Sequence, residues 1–223
     1  MKRTILAIFI LLIAGVSCKK TSSGTITDPV KYMSFAPGNS WIYETQNNIT
    51  ATTTTNTSTS SPRDSAINGK TYHVFTNSNG TANEYYNLTG NDYYTFRDLS
   101  AALGISPVET VYLKDNANSG SSWSQTVNVP LSGVPTTIPV IFTNTITAKG
   151  ISRTVNGKIY TDVIHITTTV VITGLPAGSV ISDIQSYYAP KYGLIESKNK
   201  ISVPLLTSTN IDQNTILKSS NIQ

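Results

Sequence analysis

Residues 160–173, YTDVIHITTTVVIT, decide the fold class. Tyr160, Ile164, Ile166, Val170 and Ile172 fall on even positions, while Thr161, His165, Thr167 and Thr169 fall on odd ones. A period of two sets the apolar group on one face of an extended chain. The stretch is mostly Val, Ile and Thr, whose branched side chains favour strands over helices. Thr136 to Lys149 alternates in the same way over much of its length.

Outward from this segment, turn signals and short strand-forming runs repeat. Asn68-Gly69 precedes Thr71 to Thr76, where Tyr72 and Val74 face one way and His73 and Phe75 the other. An Asn-Gly pair suits a two-residue hairpin turn because both residues accept positive φ. Ser78-Asn79-Gly80 precedes a run through Tyr85-Tyr86, and Gly90-Asn91-Asp92 precedes Tyr93 to Phe96. Further strands are expected at Trp41 to Glu44, Val108 to Leu113, Trp123 to Val129, Val180 to Tyr188, Gly193 to Lys200, Ile201 to Leu206 and Ile211 to Leu217. Leu99 to Leu103 reads as the one short helix, ended by Gly104. The Thr-, Ser- and Asn-rich stretch Ile49 to Ser61 has no apolar face and reads as a long solvated hairpin or edge segment.

Composition agrees. The chain of 223 residues is 39% hydrophobic but only 13% charged. Its polar surface must come from Thr, Ser and Asn, and the Ala-, Leu-, Glu- and Lys-rich fabric of surface helices is missing. The formal charge is +4, but Lys2 and Arg3 lie in the leader, which leaves about +2 spread over the rest. That is too weak and scattered for a nucleic-acid footprint.

The N-terminus carries an address. Met1-Lys2-Arg3 is a positive n-region, Ile5 to Ala14 an apolar segment, and Gly15-Val16-Ser17 leads to Cys18, the only cysteine. The apolar segment is too short to span a bilayer of about 30 Å. A lone cysteine at the end of such a leader resembles the lipobox of bacterial lipoproteins. There the thiol takes a diacylglycerol and the leader is removed. Gly15 stands where that pattern prefers Leu, which resembles the looser lipoboxes of the Bacteroidota. Small residues at 15 and 17 also suit ordinary cleavage after Ser17. The expected organisation is a signal peptide over 1–17, a lipid-anchored linker over 18–31 and one β-rich domain over 32–223. With no second cysteine, no disulfide supports the domain.

Two short motifs recur in order. Gly38-Asn39-Ser40-Trp41 returns as Gly120-Ser121-Ser122-Trp123, and Asn68-Gly69-Lys70-Thr71-Tyr72 as Asn156-Gly157-Lys158-Ile159-Tyr160. Tyrosine pairs follow in both halves. A duplication and a single meander reusing its turn chemistry both account for this.

Three motifs in this order, Phe35-x-Pro37-Gly38-Asn39-x-Trp41-x-Tyr43, Tyr112-Leu113-Lys114-Asp115 with Gly120-x-x-Trp123, and Tyr187-Tyr188-Ala189-Pro190-x-x-Gly193-Leu194-Ile195, resemble Bacteroidota lipoproteins of unknown function. The resemblance touches most of the chain at intervals. It implies an all-β fold with a strongly curved antiparallel sheet, a half-barrel or barrel-like meander with little helix. It transfers no catalytic residue.

Sequence chemistry points away from catalysis. Asp162 and His165 are three apart, which places them on opposite faces of a regular strand. Zinc needs three or four ligands; the two histidines are far apart and the cysteine belongs to the leader, so no metal and no cofactor is expected. No Gly-x-Ser-x-Gly elbow, phosphate loop or calcium-loop spacing occurs. Adjacent tyrosines on a strand point to opposite faces, so Tyr86, Tyr94 and Tyr188 are candidates for an outward aromatic patch that stacks on a ligand; cross-strand pairing within the sheet is the plainer alternative. Trp41 and Trp123 are expected to anchor the core. Asp64-Ser65-Ala66 matches the short Bacteroidota acceptor pattern for O-glycosylation at Ser65, and also suits an Asx turn. The expectation is a non-enzymatic, membrane-anchored binding module of a Gram-negative cell envelope, on the periplasmic face or the cell surface of the outer membrane. An unknown envelope ligand or protein would be its partner. The alternative is a structural or surface-interaction lipoprotein without a small-molecule site.

Overall fold

The computed structural model describes residues 31–97, 108–130, 137–204 and 210–223. Among these, twelve strands form one antiparallel sheet. They are β1 (Ser40–Asn47), β2 (Thr52–Ile67), β3 (Lys70–Asn77), β4 (Glu84–Thr89), β5 (Asp92–Arg97), β6 (Val108–Lys114), β7 (Ser122–Pro130), β8 (Thr137–Val155), β9 (Lys158–Ile172), β10 (Ile181–Ala189), β11 (Gly193–Ser202) and β12 (Ile211–Asn221). The described residues include no helix; the helix expected over Leu99–Leu103 lies outside them, as do the leader and Cys18.

The spatial order is β6-β5-β4-β3-β2-β1-β12-β11-β10-β9-β8-β7. Every strand but the first and last pairs on both sides, and the two ends of the row, β6 and β7, face each other. Their seam is bridged by side chains. Trp123 Nε1 donates to the Val111 carbonyl at 2.8 Å and Gln125 Nε2 to the Glu109 carbonyl at 2.9 Å. Residues two apart on β7 thus cap carbonyls two apart on β6. The result is a nearly closed barrel whose seam is bridged by indole and amide donors that pair two carbonyls of the β6 edge.

The two halves, β1–β6 and β7–β12, repeat one another. The mapping of each strand onto the strand six later carries the spatial order into itself once the ring is closed. The repeated motifs occupy matching places: one leads into β1 and β7, the other turns β2 into β3 and β8 into β9. Their backbones match too. Gly38 donates to the Ser60 carbonyl and Ser60 to the Asn39 carbonyl; Gly120 donates to the Ile146 carbonyl and Ile146 to the Ser121 carbonyl. Asn68 and Asn156 have φ of 51° and 48°, and the glycine after each has φ of 78°, the conformation an Asn-Gly hairpin turn requires.

The low-complexity stretch forms the solvated hairpin expected of it from Ile49 to Thr55, all exposed at the β1–β2 turn, but its second part runs into the sheet interior. Thr52 to Thr59 pair with β1 on one side, and Ser58 to Ser60 and Asp64 to Ile67 with β3 on the other. The physical reason is space. Ser58 and Ser60 are buried beside Trp41 and Phe75, whose rings lie 5.6 Å apart, so small side chains here make room for large ones. Pro62 falls in the register shift between Ser60 and Asp64, where no ladder amide is needed.

Candidate functional site

The barrel interior is the most developed polar environment in the molecule. Rings from non-adjacent strands meet across it: Tyr86 of β4 lies 5.9 Å from Tyr112 of β6, and Tyr112 lies 5.5 Å from Tyr188 of β10. The first contact spans one intervening strand; the second joins strands far apart in the row and is possible only inside the barrel. Phe75 packs edge-on against Tyr86 at 5.0 Å. Tyr43 of β1 reaches over β12 and donates its hydroxyl to the Leu194 carbonyl at 3.0 Å. Four phenols therefore converge from four strands.

A charged pair joins them. The Tyr86 hydroxyl donates to Glu84 Oε2 at 2.8 Å. The Arg97 guanidinium faces Glu84, Tyr86 and Tyr188, whose negative forms would raise its pKa further. Burial is the main force that pushes Tyr86 and Tyr112 well above the usual phenol range. Tyr43 is raised for the same reason, and Tyr188 is pushed up to about 12. All four are neutral hydrogen-bonding groups at any physiological pH. Tyr43, Tyr86 and Tyr112 keep accessible surface and Arg97 is exposed, although all sit on inward faces. The group thus sits where the packed core meets water.

The floor is a segment that precedes β1. Tyr32 donates its backbone amide to the Tyr93 hydroxyl at 2.9 Å, Met33 bridges to Tyr192, and the Tyr112 hydroxyl contacts the Met33 sulfur at 3.4 Å. The Tyr93 hydroxyl in turn donates to Asp115. Around this plug Tyr32, Tyr93, Leu113, Ile146, Ile164, Ile166 and Tyr188 form a buried cluster. Toward the other end the inner face turns polar: the hydroxyls of Thr45 and Thr215 share a 2.9 Å hydrogen bond, and Thr168 donates to Asn144 at 2.6 Å.

The three tyrosines singled out as an outward patch do not form one. Tyr86 and Tyr188 point into the barrel, with Tyr112 between them. Tyr94 lies on the opposite face, with Lys70 Nζ 3.8 Å from its ring centroid. Alternation correctly separates neighbours along a strand, but the direction of each face depends on long-range closure. A register shift between Tyr187 and Tyr188 also leaves both members of that pair buried, Tyr187 against His165 and Arg153. Tyr43, Glu84, Arg97 and Tyr112 were not singled out from the sequence; the Gly90-Asn91-Asp92 hairpin sets Glu84 against Arg97, but nothing local marks Tyr43 or Tyr112 as their neighbours.

The remaining candidates are separate from the interior. Ser65 is half-buried in β2 opposite Tyr72, and the Asp64 carboxylate beside it holds His73 Nδ1 at 2.8 Å. His73 stacks on Phe35 at 4.7 Å. His165 lies flat on Tyr187 at 4.2 Å, while Asp162 offers its backbone carbonyl to the Tyr32 hydroxyl. No group of three or more metal-ligating side chains occurs among the described residues. Trp41 is 1% exposed, as a core anchor should be, whereas Trp123 is half-buried and spends its indole N–H on the seam.

No protein-family model matches the chain, and no curated protein matches it. Among solved structures it is similar to a "putative lipoprotein" from Parabacteroides distasonis ATCC 8503. That pair has a TM-score of 0.49 and 10% identity over 87% of this chain and 100% of the other. It is also similar to a "putative exported protein with YmcC-like fold" from Bacteroides fragilis NCTC 9343, with a TM-score of 0.42 and 7% identity over 83% of this chain and 96% of the other.

Proposed function

We propose that the chain is an exported lipoprotein of the bacterial envelope, held by lipid on Cys18, whose barrel is a non-enzymatic binding module. The observation that carries the binding role is the water-accessible interior, where four neutral phenols converge beside Glu84 and Arg97. Concave sites with apolar walls and a few convergent polar groups are the usual form of a ligand pocket. Aromatic faces and aliphatic walls suit a ligand with an apolar or ring-shaped body. Phenol hydroxyls and the guanidinium suit one with an oxygen-rich or anionic head.

The export reading rests on the leader and Cys18. In a suitable bacterium, Cys18→Ala should release the protein from the membrane fraction; retention as firm as wild type would overturn the anchor. The binding reading is tested with 1-anilinonaphthalene-8-sulfonate, an apolar ring system with an anionic head. The account predicts saturable, single-site fluorescence enhancement. Thr45→Trp, which places an indole in the channel above the tyrosines, should abolish it while the circular dichroism spectrum is kept. Enhancement that never saturates, or that survives this change, would favour the alternative of a structural lipoprotein without a small-molecule site.

A further inference from the structure

A second concavity lies at the plugged end of the barrel. It is an open cleft of about 400 Å³ between the tip of the β8–β9 hairpin and the β10–β11 turn. Tyr32, Tyr160 and Tyr192 form its aromatic wall, and the last two rings lie edge to face at 5.1 Å. Lys158 holds its ammonium 4.0 Å from the Tyr192 centroid and 5.0 Å from that of Tyr160. Lys149, on the other side, donates to the Asp115 and Ala117 carbonyls. The backbone amide of Lys191 donates to the Lys31 carbonyl at 2.7 Å, so two more exposed lysines flank the rim. The acidic groups facing this region are Asp162, exposed in the cleft, and Asp115, whose carboxylate accepts from Tyr93. Beside Lys158 stands Ile159, which is 68% exposed.

We infer that this end of the barrel docks on an anionic phospholipid bilayer, with Ile159 entering the interface and the lysines meeting phosphates. Three observations carry it. Lys31, where the described chain begins, lies on this rim; twelve residues separate it from Cys18, a reach of at most about 45 Å. Tyrosine rings, lysines and one protruding apolar side chain are the composition that settles at a membrane–water boundary. The lysines outnumber the acids here, although the chain as a whole is nearly neutral, which favours anionic headgroups. In this pose the open end of the barrel points away from the membrane. The inference rests on the lipoprotein reading for its anchor and is tested apart from it.

The lipidated protein is reconstituted into phosphatidylcholine vesicles with and without phosphatidylglycerol. In it, Ile159→Cys carries an environment-sensitive nitrobenzoxadiazole label; the thiol of Cys18 is consumed by lipid and does not compete. Ile181→Cys, at the opposite end of the barrel, serves as control. Docking predicts a blue-shifted emission quenched by spin-labelled lipid at position 159 only, dependent on phosphatidylglycerol. Lys158→Glu should weaken it by more than about fivefold, since loss of one surface lysine alone is worth that factor and the new carboxylate adds repulsion. Water-like emission at both positions overturns the inference. A mature mass without diacylglycerol on Cys18 would instead defeat the anchor. Docking is then decided by co-sedimentation of the unlipidated chain: binding that needs phosphatidylglycerol and weakens in Lys158→Glu supports it, and no binding overturns it.

Discussion

Trp41 and Trp123 stand at matching positions in the two halves and do different work. Trp41 fills space beside Phe75, and its Nε1 has no hydrogen-bond partner. Truncation to Ala should cost about 3–5 kcal/mol, a large part of a domain stability of about 5–15 kcal/mol. Trp41→Phe should cost much less, because it removes the unpaired donor along with part of the ring; urea denaturation measures both. His165 makes a second prediction. Burial and the nearby Arg153 hold its pKa below the ordinary 6.5, so the unfolded chain takes up this proton more readily than the folded one. Its contribution is intact above about pH 6.5 and is lost as pH falls through the lower, folded pKa. Stability should therefore drop on acidification from pH 7 to 5, and His165→Gln should flatten part of that slope; an NMR titration locates the pKa directly. Residue by residue, the sequence showed which side chains alternate and that Trp41 belongs inside. It did not show that Tyr43 and Tyr188 meet Glu84, Arg97 and Tyr112, because the last three lie on the neighbouring strands β4, β5 and β6 while β1 and β10 reach them only through closure.

At the scale of elements, the hairpins were legible and their partners were not. Asn68-Gly69 and Asn156-Gly157 are turns whose chemistry is local, and the alternation of 160–173 pairs with β8 without a shift from Ile166 to Ile172. The solvated tip of the β1–β2 hairpin was legible, but the burial of Ser58 and Ser60 was not, because burial of a serine depends on the size of what stands beside it. The seam could not be read at all, since it is held by side chains: Trp123 and Gln125 supply the donors that a further strand would have supplied. Each such bond contributes about 1 kcal/mol. Gln125→Ala combined with Trp123→Phe should speed hydrogen exchange in β6 and β7 and leave the β1–β12 junction protected. Equal protection in both would mean that the seam is held otherwise.

At the scale of the molecule, two six-stranded meanders form one barrel with a plugged end and a polar, tyrosine-lined interior. The same turn geometry at Gly38 and Gly120, and at Asn68 and Asn156, gives the faint sequence echo a structural basis. The plug ties the chain that leads from Cys18 to the floor of the barrel, so anchor and interior meet at Tyr32 and Met33. The central claim is that a ligand enters this interior rather than resting on an outer aromatic surface. The most direct measurement is an NMR titration of the protein carrying ¹³C-labelled tyrosine with 1-anilinonaphthalene-8-sulfonate. The account predicts saturable shifts in Tyr43, Tyr86, Tyr112 and Tyr188, with Tyr85, Tyr94, Tyr160 and Tyr192 unmoved. Shifts confined to the second group, or none in the first at saturating probe, would contradict it.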